Sequence, residues 1–278
     1  MKKKLLPIGS DFETIPTQDE DTIERIKNMA KGATVTPPKT KPEMGKALGL
    51  PEDVYKSMEA EGLKAMWIDK FRLEAVDKAF EEAYRKTSFS AGEGGEIISA
   101  SFKMFGENPD GSPLMPEPAC CYRARGGASE ADTLKRIVNW LDKIHAYSLD
   151  KNLDIQFVGA NVMLFDFRFL AQRCLINGVD LPKCGLLASR YDRSKYFDVL
   201  TAWTFDDNQS RVSLDRLCKL LGIETPKGDE AGPIHGGMVW DIWRDGGEDG
   251  AARIARYNSR DVVVLEPIYN KLNLLLGA

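Results

Sequence analysis

The chain has 278 residues, with 38 Lys and Arg against 42 Asp and Glu and a formal net charge of −4. Hydrophobic residues make up 43% and aromatics 9%, enough for a buried core, which excludes a largely disordered chain. No apolar run approaches the roughly 18 residues of a membrane span, and the mild acidity excludes a broad nucleic-acid-coating surface but not a local site.

The opening Met1-Lys2-Lys3-Lys4-Leu5-Leu6 imitates the start of a signal peptide, but the apolar stretch breaks at Pro7 and soon reaches Asp11. The expectation is a soluble, cytoplasmic protein with no membrane partner. A first strand covers Leu5 to Ile8 and runs into Ser10-Asp11-Phe12-Glu13-Thr14; Pro7 inside it points to an edge strand. Ile23, Ile26 and Met29 have helical spacing, with Gly32 as the stop, and the proline-rich Thr34–Pro42 stretch reads as a loop. A longer helical region runs from near Pro51 to about Lys86, with an apolar stripe at Leu63, Trp67, Phe71, Val76, Phe80 and Tyr84. Residues 17–92 are therefore expected to be a helical insertion within a single domain spanning 1–278.

Beyond Gly92-Glu93-Gly94-Gly95 the period becomes extended. Glu96–Phe105 and Ala119–Ala124 read as strands separated by a turn at Asn108-Pro109-Asp110-Gly111. Ser129 with Asp132 predicts a capping box, opening a helix that turns Leu134, Ile137, Val138 and Leu141 inward. A short strand at Ile155–Val158 leads to a helix from about Leu164 to Ile176. Tyr196–Leu200 reads as a fifth strand, and helices near 213–221 and 250–275 follow. Successive strands followed by alternating strands and helices predict one mixed α/β sheet covered by helices.

The chemistry is narrowed by what is missing. Cys120, Cys121, Cys174, Cys184 and Cys218 form no C-x-x-C pair, and the chain has only two histidines, so oxygen ligands must serve any metal. Four carboxylates occupy unusual places. Asp11 and Glu13, two apart on a strand, share a face. Asp166 follows a strand among apolar residues, and Asp261 lies four after Tyr257 on one helix face. A carboxylate in an apolar run is costly without a positive partner, and a divalent cation such as magnesium or manganese suits hard oxygen ligands.

Asp11-Phe12-Glu13-Thr14, the Gly159-x-Asn161-x-x-x-Phe165-Asp166-x-x-Phe169-Leu170 segment and Tyr257-x-x-x-Asp261 resemble, in order, the three exonuclease motifs of the DEDD superfamily. The pattern is similar to the 3′–5′ exonuclease domain of family B DNA polymerases, free-standing as in phage-type exonucleases. Tyrosine at 257 is the mark of the DEDDy branch. The resemblance implies a ribonuclease H-like five-stranded mixed sheet flanked by helices. It also implies metal-dependent 3′–5′ hydrolysis of single-stranded DNA to nucleoside monophosphates, with two Mg2+ or Mn2+ ions. Asp11, Glu13 and Asp261 would then complete a first metal site, Asp166 would hold the second metal, and Tyr257 would orient the attacking water. Phe12, Thr14, Asn161 and Phe165 would contact the substrate. The partner implied is a DNA 3′ end, with a DNA polymerase or a replication or repair protein as a further one. The same chemistry on RNA, and a catalytically silent nucleic-acid-binding or proofreading accessory module, stay open.

Other residues read more plainly. Asp198 is expected to cap a helix or support the site from behind, His235 to be structural, and the Trp67/Phe71/Phe80 stripe to pack in a core. Arg123, Arg125, Arg190, Arg193 and Lys195 fit either a phosphate track or a solvated charged surface.

Overall fold

The structure is a computed structural model describing residues 3–162, 164–186, 194–205, 207, 210, 212–226 and 233–276. Its centre is a five-stranded sheet in the order β3-β2-β1-β4-β5. The strands are β1 (Lys4–Ile15), β2 (Glu96–Met104), β3 (Ala119–Tyr122), β4 (Leu153–Gly159) and β5 (Tyr196–Asp198). The first three pair antiparallel, and β4 and β5 continue the sheet parallel to β1. The mixed α/β sheet flanked by helices is the fold class expected from the pattern of elements.

β1 is the central strand, which corrects the edge placement drawn from Pro7. The carbonyl of Pro7 accepts the Phe105 N–H at 2.9 Å, one residue beyond the last β1–β2 pair, Ile8 with Met104. The N–H that proline lacks would point the same way, past the end of the ladder, so the β4 side loses nothing. Gly9 follows from close approach: a Cβ there would lie 2.5 Å from the Phe105 ring.

Strand alternation divides the molecule into two layers. Leu6, Ile8 and Phe12 of β1, Ala100 and Phe102 of β2, and Ile155 and Phe157 of β4 face α5 (Glu130–Asp150) and α6 (Asp166–Ile176) in the main core. The Ser129/Asp132 capping box opens α5, and Leu134, Ile137, Val138 and Leu141 are buried. Glu130 lies beneath the cap. It accepts the Ile97 N–H at 2.8 Å and Arg173 Nε at 2.9 Å, with Asn177 Nδ2 at 2.9 Å, and joins β2, α5 and α6 at a buried ion pair.

The opposite face carries α10 (Gly247–Leu276). Here β2 presents Ser99, Ser101 and Lys103, and each meets a polar group of α10. Ser99 donates to Asn258 at 3.0 Å, Ser101 and Ser259 hydroxyls lie 3.2 Å apart, and Lys103 pairs with Glu266. Further apolar packing comes from Val158, Phe197, Leu265, Ile268 and Leu272.

Between β1 and β2 run α1 (Glu20–Ala30), α2 (Lys41–Leu48), α3 (Glu52–Ser57) and α4 (Ala60–Lys86). The region expected as one helix from Pro51 is broken at Met58, whose backbone is extended. Met44, Tyr55 and Leu63 form a small separate core. Of the apolar stripe on α4, Leu63 and Tyr84 are buried, while the other four are partly exposed. The carboxyl end of α4 is anchored to α9 (Val239–Asp245), through Arg85 on Asp241 at 2.6 and 3.1 Å and Tyr84 against Trp240. The fifth strand is shorter than expected because Asp198 accepts the N–H groups of Leu200 and Thr201 and so starts α7 (Val199–Thr204). α8 (Leu214–Leu220) follows. No described helix is long and apolar enough to cross a membrane.

Candidate active site

Asp11 and Glu13 leave β1 on the α10 side, and Asp261 comes down from α10 to meet them. One carboxylate oxygen from each lies within 4.8 Å of the others. The register slips at this point: Glu13 pairs with Ser99 and Thr14 with Ile97, so Ile98 is an extra residue in β2. Such a bulge bends the strand and re-aims side chains. Asn258, one helical turn before Asp261, is fully buried. Its Nδ2 donates to Asp11 Oδ2 at 2.6 Å while its Oδ1 accepts from Ser99, which fixes the amide and, through it, the Asp11 carboxylate. Neither Asn258 nor Ser99 is one of the defining residues of the acidic motifs. The only local signal was a polar residue on the inward side of a long amphipathic helix.

Asp166 is buried as the first residue of α6. Its carboxylate accepts its own main-chain N–H and that of Phe12, and the helix amino terminus favours its charge. It stands outside the three-carboxylate cluster, yet its charge is felt at both Asp11 and Glu13. Gly159 allows the following loop to lie against β1, since a Cβ there would sit 2.7 Å from the Ser10 carbonyl oxygen. Asn161, exposed and in the left-handed region at φ 69°, sends its main-chain N–H to Asp198. Asp198 therefore does two things: it caps α7 and adds a negative charge beside Asp166.

Burial is the largest cause holding Asp11, Glu13 and Asp166 well above the ordinary carboxylate range. For Asp11 and Glu13 the next cause is Asp261, and every charge acting on these two is another carboxylate. Tyr257 is buried on the same α10 face and shares a hydrogen bond with Asp261. Burial first, and then Asp261, Glu13 and Asp11, push its phenol upward, so it stays protonated. A set of converging, mutually repelling oxygen donors is the donor chemistry that a divalent cation satisfies, and the residues present fit one.

This electrostatics carries a prediction. With native pKa values raised above the unfolded ones, the folded state holds protons more tightly. The cluster then costs stability at neutral pH, and the cost fades as pH falls through the raised native values toward the unfolded ones. In chelator the melting temperature should rise as pH is lowered from the alkaline side through those raised native values. Saturating magnesium or manganese should raise it at the higher pH and flatten that slope. Identical melting curves with and without metal across this range would show that the cluster does not hold a cation.

Three of the expected substrate contacts need revision or placing. Phe12 is 5% exposed and lies edge-on to Phe102 and Phe167, each ring 5.6 Å away, so it belongs to the core and not beside a nucleotide. The period of the strand explains this: if Asp11 and Glu13 share one face, Phe12 must take the other. Thr14 donates its hydroxyl to the Ser88 carbonyl at 2.7 Å and is committed to holding that turn. Phe165 is half-buried, between Phe89 at 6.4 Å and Phe169 at 5.3 Å. The three described members of the basic set are engaged within the protein. Arg123 is bonded to Glu96 and the Ala128 carbonyl, Arg125 lies over Trp243, and Lys195 donates to the Cys184 carbonyl. Arg190 and Arg193 lie outside the described residues. His235 is exposed, and its carbonyl accepts the Met238 N–H at 2.8 Å.

No curated protein matches the chain. A family model described as the RNase H superfamily matches residues 130–273, from α5 into α10, a span that holds Asp166, Tyr257 and Asp261 and leaves out β1 with Asp11 and Glu13. That span exceeds half the chain, and the sheet it completes has the mixed five-stranded order described above. The chain therefore belongs to the RNase H superfamily, a membership that points to nuclease chemistry.

Proposed function

We propose that the protein is a metal-dependent 3′–5′ exonuclease of the DEDDy type that releases nucleoside monophosphates from single-stranded DNA. The observation that carries the reading is the meeting of Asp11 and Glu13 with Asp261, one turn of α10 from Tyr257 and within electrostatic reach of Asp166. Magnesium or manganese held by Asp11, Glu13, Asp166 and Asp261 would supply the Lewis acidity that activates water and stabilises the leaving 3′ oxygen. The residues themselves do the rest. Asn258 holds Asp11 in one orientation. Tyr257, kept neutral, gives its one O–H to Asp261 here; with Asp261 turned to a cation that hydroxyl would be free to orient the attacking water, for which a protonated phenol cannot be the base. A carboxylate of the cluster would take the proton of that water, and the departing 3′ oxygen would in turn be protonated to the hydroxyl.

The resemblance to family B polymerase exonuclease domains supports this reading, and a polymerase or repair protein is the partner it proposes. Digestion of end-labelled strands tests it. Linear single-stranded DNA should shorten from its 3′ end with magnesium or manganese, chelator should stop this, and a bulky 3′ blocking group should protect the strand. Cleavage of circular single strands would overturn the exonuclease reading, and hydrolysis undiminished in chelator would overturn the metal dependence.

A further inference from the structure

The turn that ends the helical segment carries an aromatic side chain with no role in the core. Phe89 is 64% exposed in the short 3-10 turn Thr87–Phe89 after α4. That turn is pinned next to the carboxylates: Thr14, the residue after Glu13, donates to the Ser88 carbonyl at 2.7 Å, and the Thr17 N–H donates to Thr87 Oγ1 at 2.9 Å. The Phe89 ring lies 6.4 Å from that of Phe165, inclined by 52°, and Phe165 immediately precedes Asp166. Phe169 backs Phe165 at 5.3 Å, and Leu164 beside it is 45% exposed. The two inclined rings are in contact with each other and leave no slot between them, so what they offer is a wall.

Resting on the nuclease reading above, we propose that Phe89 and Phe165 form a stacking wall for the unpaired terminal base of a single strand whose last phosphodiester lies at the carboxylates. Stacking on an aromatic face does not depend on base identity, so the wall accepts any base. It also selects against a paired end, because a base lying on protein has left its neighbour in the duplex. Phe89 lies outside the matched RNase H region, so the helical segment contributes to substrate choice through this one turn. The aromatic contact that the sequence suggested for Phe12 thus falls to a residue 77 positions away, on the α6 side of the carboxylates.

The test compares the wild type with Phe89→Ala and Phe89→Trp on a short 5′-labelled oligothymidylate, with either a normal or an abasic 3′-terminal nucleoside. KM and kcat are measured in magnesium, and equilibrium binding is measured on phosphorothioate-ended versions of both strands. Phe89→Ala should raise KM and Kd for the normal end on the order of ten-fold, with kcat nearly unchanged, and Phe89→Trp should restore both. The abasic end should cost the wild type a similar factor and cost Phe89→Ala nothing more. The proposal is overturned if Phe89→Ala matches wild type on the normal end, if it loses equally on both ends, or if only kcat falls. A wild type that binds strands in a Phe89-dependent way without hydrolysing them would sink the exonuclease reading and leave the wall standing. One that binds no strand at all would sink both.

Discussion

Replacing Asp261 with asparagine is expected to lower the rate of phosphodiester hydrolysis on the order of 10³-fold or more, with raised metal failing to restore it. The substitution keeps shape and removes one of three charges whose oxygens lie within 4.8 Å, at a place where the donor set fits a dication. Tyr257→Phe shares the helix face but not the consequence. It deletes one hydrogen bond, leaves every charge in place, and should reduce the rate by about 10²-fold, the cost of a slightly misplaced nucleophile. Melting curves in chelator guard against a folding artefact. Asp261 is the largest charge raising Asp11 and Glu13, so Asp261→Asn relieves repulsion and should raise the metal-free melting temperature at neutral pH. Loss of activity with a lowered melting temperature would report damage to α10 packing. Wild-type activity in Tyr257→Phe would make Tyr257 a core residue and sink the DEDDy assignment.

The second large effect lies away from the carboxylates. Arg173→Met should destabilise the protein by about 3–5 kcal/mol, because the Glu130 carboxylate, 5% exposed, loses its counter-ion in the interior. For a chain of this size that is roughly a 10 °C fall in melting temperature. Pairing the change with Glu130→Gln removes the stranded charge while Gln can still accept the Ile97 N–H, and the double variant should recover most of the loss. A single variant within about 1 kcal/mol of wild type would show that the pair is solvated in solution. Activity per folded molecule should hardly change in either variant.

The order of strands and helices was legible because the apolar period changes from helical to extended along the chain and some helices start at a recognisable cap, as Ser129 and Asp132 show at α5. A strand places i and i+2 together, which joined Asp11 to Glu13, and Asp261 follows Tyr257 by one helical turn, but bringing the two pairs to one site rested on the resemblance of the three motifs to the DEDD exonucleases. What escaped depends on partners far away in the chain. Asn258 acquires meaning only when Ser99 and Asp11 flank it, 159 and 247 residues distant. Pro7 was misplaced because its neighbour ladder ends one residue early, and nothing local announces where β2 stops. Phe12 was misplaced although the strand period that joined Asp11 to Glu13 already turned it away. Phe89 gave no signal, since exposure of an aromatic at a turn is set by the packing of α4 and β1 around it.

The hydrogen bond from Asn258 to Asp11 closes nearly the whole chain on itself. During translation Asp11 and Glu13 leave the ribosome first, and the helix bearing Asn258, Tyr257 and Asp261 leaves long after the sheet and its other helices are exposed. The three-carboxylate cluster is therefore assembled only when α10 docks on β1. A chain terminated before that helix carries Asp11, Glu13 and Asp166 but lacks both Asp261, which completes the cluster, and Asn258, which orients Asp11.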